Sequence, residues 1–404
     1  MLKKLYHYLL SLWAYLYYGR PSRQLIVVGV TGTKGKSTTC RFIASVLEAG
    51  GFKVGLLSTV EFQVAEKRWL NKRKMTMLGR GEIHKMLRDM VRAGCQYAVV
   101  ETSSEGILQY RHKFLNYDIA VFTNLGTEHS ERHGGFENLK QDKGKLFAAL
   151  SKNRKNINGQ EIKKVIVVNG DDINAQYYLN FPATEKVIFH QSDYDPKFKI
   201  NIVGDFNIPN VLAAIAVGRS QNISEEKIKQ GIGDVKLIEG RMEFIDEGQL
   251  FKVVVDYAHE PMSLSALFDS LNNLKAPSSK LIAIIGSDGG GRDKGKRAKM
   301  GEIAGKLCDI VIITDVNCFD EDPKQIAEML AVGARQAGKQ EGKNLFIEVD
   351  RRQAIAMAIR LAESNDVVAI TAKGTEPCMV VAGDKKLSWD DREVARAAIK
   401  TLKY

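Results

Sequence analysis

One stretch near the start of the chain restricts its fold more than any other. The apolar run Leu25–Val30 is followed by Thr31-Gly32-Thr33-Lys34-Gly35-Lys36-Ser37-Thr38. A continuous apolar run reads as a strand buried on both faces. Thr38–Ala49 then carries helical spacing and stops at Gly50-Gly51. A Gly-rich loop between strand and helix lets backbone N–H groups converge on phosphate oxygens, and the helix N-terminus adds partial positive charge. Lys36 is placed to reach β- and γ-phosphates, and the Ser37 hydroxyl to bind Mg²⁺. The loop is not the common G-x-x-x-x-G-K-[ST], because Gly32 lies only three residues before Gly35. Its position after a strand and before a helix is nonetheless what phosphate binding requires. Glu101 closes a second apolar run, Tyr97–Val100, at the strand end where ligands of such sheets gather.

The alternation continues. Val54–Ser58, Ile119–Thr123, Val165–Val168 and Val187–His190 read as strands, and Gly81–Ala93 and Ile208–Val217 as helices. A second series begins near Arg241, with strands at Val253–Val255, Leu281–Ile285, Ile310–Ile313 and Val367–Ile370. Helical stretches such as Lys299–Lys306 and Gln353–Glu363 separate them. Strands alternating with helices imply parallel sheets covered on both faces. The expected fold is α/β, with an aromatic N-terminal segment (1–24), a P-loop domain (25–239) and a Rossmann-like domain (240–404). At ~100–200 residues per domain, 404 residues accommodate this division.

Hydrophobic residues at 44% and charged residues at 26% exclude disordered, collagen-like and multi-span membrane chains. The net charge of +11 suits phosphorylated or carboxylated substrates, an anionic membrane surface or nucleic acid. No basic-aromatic RNA motif is present, so nucleic acid is not an expected partner. The five cysteines form no C-x-x-C pair, which argues against a zinc site or a disulfide framework and favours a cytoplasmic protein with reduced thiols. Leu2–Tyr18 is apolar and aromatic, with Lys3, Lys4 and Arg20 at its ends. It falls short of the ~20 apolar residues of a spanning helix. Two readings stay open: a helix packed on its own protein or a partner, including self-association, or one lying in the interface at the inner face of a membrane.

Three segments together, GTKGKST, ETSSEGILQYRH and FTNLGTEHSERHGGFENLKQDKGKLF, resemble the Mur ligase family, within it most closely the tripeptide-synthetase branch. The resemblance continues through GDFNIPNVLAAIAV, EGRMEF, VVDYAHEP, GGGRDKGKRAKMGEIA and AKGTE, roughly residues 25–380. It implies an ATP-dependent ligase that activates a carboxylate as an acyl phosphate for attack by an amino-acid amine, in peptidoglycan stem-peptide or related synthesis. Gly32, Thr33, Lys34, Gly35, Lys36, Ser37 and Thr38 would then hold ATP. Ser37, Glu101, His129 and a carbamylated Lys143 would hold two Mg²⁺ ions. Asn207 and Asn210 match adenine contacts. Arg241 would approach ATP on domain closure, and Asp256 and His259 match residues near the ribose and phosphates. Ser103 and Arg111 correspond to acceptor contacts. Arg292, Lys294, Asn317 and Glu376 fall to the second substrate. The family has His where this chain has Glu105.

Two departures bear on substrate. The resemblance implies a UDP-gripping N-terminal domain of about a hundred residues, which the opening segment does not supply, so acceptors without a nucleotide, including lipid-linked ones, are open. Diaminopimelate-adding members carry Asp-Asn-Pro-Arg, whereas this chain has Val316-Asn317-Cys318-Phe319. Phe319 cannot make a bidentate carboxylate contact. The alternatives are a poly-amino-acid or folylpolyglutamate-type ligase, and a membrane-associated ATPase scaffold that no longer ligates. A metabolite kinase would need a hydroxyl-activating base near the loop, and none is identifiable.

Overall fold

A computed structural model describes residues 2–73, 75–126, 130–152 and 154–402. The chain separates into two compact units, Met1–Lys236 and Leu237–Tyr404.

The first unit opens with helix α1 (Leu2–Tyr17) and then builds an eight-stranded sheet. Its elements are β1 (Ile26–Thr31), α2 (Lys36–Ala49), β2 (Val54–Leu57), β3 (Glu61–Val64), β4 (Lys67–Leu70), α3 (Arg80–Arg92) and β5 (Tyr97–Glu101). Short helix α4 (Ser104–Leu108), β6 (Ile119–Phe122), α5 (Phe136–Leu150), β7 (Val165–Asn169), β8 (Glu185–Phe189) and α6 (Ile208–Ser220) follow. The strand order is β8-β7-β6-β1-β5-β2-β3-β4. The first six are mutually parallel, and β3 and β4 add an antiparallel edge. β1 sits between β5 and β6, so Val27, Val28 and Val30 are fully buried. That burial on both faces is why its sequence is an unbroken apolar run. The core packs Ile83, Leu87 and Met90 of α3 with Phe122, Phe147 and Tyr178.

Asp118 fixes the lower end of this sheet. Its carboxylate accepts from the Val27 N–H at 2.9 Å and from Lys164 Nζ at 2.6 Å, and pairs with the buried Lys155. Burial lowers the Lys155 pKa to about 8 despite the opposing charge of Asp118.

The second unit holds a six-stranded sheet of β9 (Glu243–Ile245), β10 (Lys252–Val255), β11 (Leu281–Ile285), β12 (Ile310–Ile313), β13 (Leu345–Ile347) and β14 (Val367–Ile370). The order is β9-β10-β14-β11-β12-β13, parallel except for β9. Its core includes Val253, Ile284, Ile355, Val368 and Ile370. The strands β3, β4, β9 and β13, at or next to the sheet edges, are short and partly exposed, and carry no long apolar run that marks them in the sequence.

Candidate active site

The loop between β1 and α2 is shaped by its two glycines. Gly32 has φ +153° and a Cβ there would meet Thr123 Oγ1 at 1.9 Å. Gly35, at φ +77°, would place a Cβ 2.1 Å from Asn210 Oδ1. No other residue fits either position without displacing these groups. The segment after β6 ties the loop down. Asn124 Oδ1 accepts from the Lys34 N–H at 2.8 Å, Thr123 Oγ1 donates to the Lys34 carbonyl at 2.7 Å, and the Gly126 N–H donates to Thr33 Oγ1 at 2.8 Å. Lys36 Nζ folds back onto the Thr33 carbonyl at 2.9 Å. Ser37 and Thr38 start α2 and are buried.

Glu101 is only 2% exposed at the end of β5. Ser37 Oγ donates to its Oε2 at 2.8 Å. The Thr59 N–H donates to the same oxygen at 2.7 Å, and Thr59 Oγ1 donates to Oε1 at 2.9 Å. Three donors on one buried carboxylate satisfy both its oxygens and fix its orientation. Thr59 belongs to none of the sequence motifs. Its position just past β2, at the same end of the sheet as Glu101, is the signal that could have found it.

Lys143 is 4% exposed on α5, and its Nζ donates to the Gly32 carbonyl at 2.8 Å. Helix α5 therefore delivers a buried amine to the phosphate loop itself. Lys145, two residues on, points elsewhere and pairs with Asp142. Asp142 Oδ2 also lies 2.6 Å from His133 Nδ1. His133 Nε2 is buried and has no hydrogen-bond partner among the described residues. His129 lies outside the described residues. Asn207 and Asn210 are buried at the start of α6. Asn210 Oδ1 accepts from Thr39 Oγ1 at 3.0 Å, which couples α6 to α2, and Asn207 Nδ2 donates to the Val203 carbonyl at 2.8 Å.

Ser103 caps α4, its Oγ accepting from the Gly106 N–H at 3.2 Å. Arg111 donates to Gln109 Oε1 through Nη2 at 2.6 Å and to the Met77 carbonyl. Burial lowers its pKa, and the neighbouring Arg80 pushes the same way. Arg80 lies outside every motif that marks the site in the sequence. It donates through Nε to the Gln109 carbonyl at 2.9 Å, while its buried Nη2 has no partner among the described residues. The two guanidiniums thus share Gln109, Arg80 on its carbonyl and Arg111 on its Oε1. Glu105 pairs with Arg132.

In the second unit, Arg241 stacks on Tyr257 with its guanidinium carbon 4.3 Å from the ring centroid. Gly240, at φ +64°, makes room for the backbone of Gly374 and Thr375. Asp256 accepts from the Met242 and Ala258 N–H groups, both at 2.7 Å. His259 Nδ1–H donates to the Tyr257 carbonyl at 2.8 Å, which leaves Nε2 3.8 Å from Glu260 Oε1. Asn317 is the centre of a buried polar cluster. Its Nδ2 donates to Asp288 Oδ1 at 2.7 Å and Glu376 Oε2 at 3.3 Å, and its Oδ1 accepts from the Val380 N–H at 2.9 Å. The fully buried Lys373 donates to Glu376 Oε2 at 3.0 Å. Lys373 stands in the AKGTE segment, but only its burial beside Glu376 reveals it as a member of this cluster. Arg292 reaches Asp288 at 3.5 Å and lies over Phe319 at 6.0 Å. Lys294 pairs with Glu321 at 3.3 Å. Phe319 itself has φ +52° and packs beside Gly290. Burial, helped by Asp315, pushes the Cys318 thiol up to about 11.

The family profile of the Mur ligase middle domain matches residues 30–218, and that of the Mur ligase glutamate ligase domain matches residues 240–374. A UDP-N-acetylmuramyl-tripeptide synthetase of Roseiflexus sp. (strain RS-1) is 35% identical, covering 96% of this chain and 81% of the relative. The chain belongs to the Mur ligase family. A UDP-N-acetylmuramoyl-L-alanyl-D-glutamate–2,6-diaminopimelate ligase of Geobacillus kaustophilus is 34% identical over 97% of this chain and 82% of its own. Among solved structures, a ligase of that same description aligns with a TM-score of 0.59 at 28% identity, covering 93% and 78% of the two chains. Folylpolyglutamate synthase of Mycobacterium tuberculosis, complexed with ADP, shares the fold at a TM-score of 0.65 and 14% identity, covering 90% and 91%. As a Mur ligase the protein is an ATP-dependent acid–amino-acid ligase, of the class that builds peptidoglycan peptides. No helix among the described residues is long and apolar enough to cross a membrane.

Proposed function

We propose that this ligase joins a small carboxylate acceptor of the muramyl-peptide type to an amino acid, acting in the cytoplasm without nucleic acid. The observation that carries the reading is the phosphate loop's own network: Ser37 and Thr59 gathered on Glu101, and Lys143 on the Gly32 carbonyl. Converting a carboxylate oxygen into a leaving group requires ATP to phosphorylate it; the amine then displaces phosphate through a tetrahedral intermediate. The protein's task is to hold phosphate charge and align two substrates, and no covalent protein nucleophile is needed. In this scheme the loop from Gly32 to Thr38 cradles the phosphates, with Lys36 swinging from Thr33 to the transferred group. Asn207 and Asn210 take the adenine side, and the second unit contributes Arg241, Asp256 and His259 to the nucleotide.

Ser37 and Glu101 offer oxygen donors 2.8 Å apart, a set that suits magnesium. Among the described residues no three His, Cys, Asp or Glu side chains converge as a metal cage. Mg²⁺ rarely needs one when phosphates and waters complete its shell. We assign two Mg²⁺ ions to Ser37, Glu101, His129 and Lys143, the last as a carbamate; held there, they would neutralise phosphate charge. A carbamate forms when the neutral Lys143 amine adds CO₂ and releases a proton, which turns a buried cation into an anion beside the loop. Ser103 and Arg111, joined by Arg80, receive the acceptor. Asn317 and Glu376, with Arg292 and Lys294, receive the amino acid; Glu376 suits an ammonium group. Phe319 removes the bidentate carboxylate contact that would select diaminopimelate.

Phosphate release with Mg²⁺-ATP, with product masses recorded, tests the reading. The acceptors are UDP-MurNAc-dipeptide and the same dipeptide acceptor without UDP, each offered with a pool of amino acids. Acceptor-dependent release with one added amino-acid mass is expected. Acceptor-independent turnover, or a Lys36→Ala protein indistinguishable from wild type, would sink it. ¹³C NMR in labelled bicarbonate should show a carbamate signal that Lys143→Ala removes.

A further inference from the structure

Helix α1 packs on its own unit by one narrow face only. Ser11 and Ala14 are buried, and Tyr15 nearly so. Ser11 Oγ donates to the Tyr110 carbonyl at 3.0 Å, Tyr8 meets the Tyr110 ring edge-on at 6.5 Å, and Tyr15 stacks on Phe114 at 5.4 Å. The opposite face carries Leu5, Tyr6, Leu9, Trp13, Leu16 and Tyr17, each 48–68% exposed. Their spacing places them on one continuous stripe of the helix with no charged side chain in it. A soluble helix at a protein surface normally turns polar residues outward; this one has its pattern reversed.

We infer that this stripe lies in the interface of an anionic membrane. Two observations choose a bilayer over a protein partner. Tyr and Trp next to Leu are the mixture that settles at headgroup depth, where a ring has one apolar and one wet end. The charge is one-sided: no Asp or Glu precedes Glu48, whereas Lys3, Lys4, Arg20 and Arg23 bracket the helix. Arg20 and Arg23 are exposed, and Lys113 adds a further cation over Tyr110 at 5.9 Å. On the neighbouring α3, Glu82 is engaged by Arg73 at 2.7 Å, and Asp89 remains as an acid. On such a surface, a helix of 16 residues, about 24 Å long against a hydrocarbon core of ~30 Å, fits an orientation in the plane.

The helix rests on Tyr110, the residue next to Arg111. Docking would therefore hold the acceptor loop at the lipid surface and favour an acceptor carried in the bilayer. That consequence rests on the ligase reading above; the docking itself does not. The test mixes full-length protein with vesicles of phosphatidylcholine alone or with about one-third phosphatidylglycerol. We expect at least ~10-fold more co-sedimentation with the anionic vesicles, and a blue shift of Trp13 fluorescence in a Trp69→Phe, Trp389→Phe background. Leu9→Glu with Trp13→Glu should lose that binding, and Arg20→Gln with Arg23→Gln should lose the preference for anionic lipid. Both variants should retain phosphate release on a water-soluble acceptor. Vesicle binding by a protein that ligates nothing would support docking and overturn only the ligase reading. Equal sedimentation with both vesicle types, or a dimer in sedimentation velocity that Leu9→Glu dissolves, would overturn the inference.

Discussion

His84 offers a prediction whose size follows from its surroundings. The residue is fully buried on α3, 5.8 Å from the Tyr15 ring of α1, and neither ring nitrogen has a hydrogen-bond partner among the described residues. Burial alone drives its pKa down to about 4. A folded pKa below the unfolded value near 6.5 means that the unfolded chain takes up more protons as pH falls. Stability is therefore untouched above pH 7 and is lost as pH falls from about 6.5 towards 4. At pH 5 the linkage relation gives a loss of about 2 kcal/mol from His84. His112, driven to about 3 by burial and then by Lys113 and Lys145, adds about 2 kcal/mol more. The first unit should thus lose about 4 kcal/mol between pH 7.5 and pH 5 from these two groups, a large share of a typical domain's stability.

The perturbation is His84→Leu. It removes the titration and also two unsatisfied polar atoms, so it should raise stability at pH 7.5 by about 1 kcal/mol. Its loss on going to pH 5 should be about 2 kcal/mol smaller than that of wild type. Urea unfolding followed by tryptophan fluorescence in a Trp389→Phe background reads the first unit alone, through Trp13 and Trp69. A variant that loses as much stability at pH 5 as wild type would refute the reasoning, because it would mean that His84 is already protonated, or reaches water, in the native protein.

Other perturbations follow from the same geometry. Glu101→Gln keeps the shape but not the charge on which Ser37 and Thr59 converge; kcat should fall at least ~100-fold, and steady-state phosphate release would read it. Gly35→Ala forces a Cβ onto Asn210 at φ +77°; thermal unfolding should reveal a cost of about 1–3 kcal/mol, and an unchanged Tm would contradict the loop geometry. In the second unit Arg351 and Asp391 form a fully buried pair at 2.7 Å. Asp391→Asn should cost about 3–5 kcal/mol, reported directly by Trp389, whose Nε1–H donates to Asp391 at 2.7 Å; a loss under about 1 kcal/mol would show that the pair is not what holds that corner.

What the sequence disclosed depended on whether a residue's type carries its own signature. The central strands were legible because burial on both faces leaves only apolar residues, as in Val27–Val30 and Leu281–Ile285. The strand Lys67–Leu70 was not, because its surface is exposed and charged and could equally be loop. In the site, a Gly-Lys-Ser loop and a carboxylate ending a strand announce themselves, whereas Thr59 has no distinguishing chemistry until its N–H and hydroxyl both reach Glu101. Lys143 and Lys145 are indistinguishable as letters; helix geometry separates them by about 200°, sending one amine to Gly32 and the other to Asp142.

The same contrast applies to α1, where composition alone left self-packing and membrane contact as rivals. The structure makes them compatible, because a helix has two faces: Ser11, Ala14 and Tyr15 satisfy the first reading while Leu9, Trp13 and Tyr17 remain turned outward. A segment that buries its small residues against Tyr110 and turns its largest apolar ones outward has the kind of exposed patch that marks an interaction surface. Because the buried face touches Tyr110, beside the Arg111 proposed to receive the acceptor, a surface that covers the outer face would, on that proposal, also bear on which acceptor the enzyme meets.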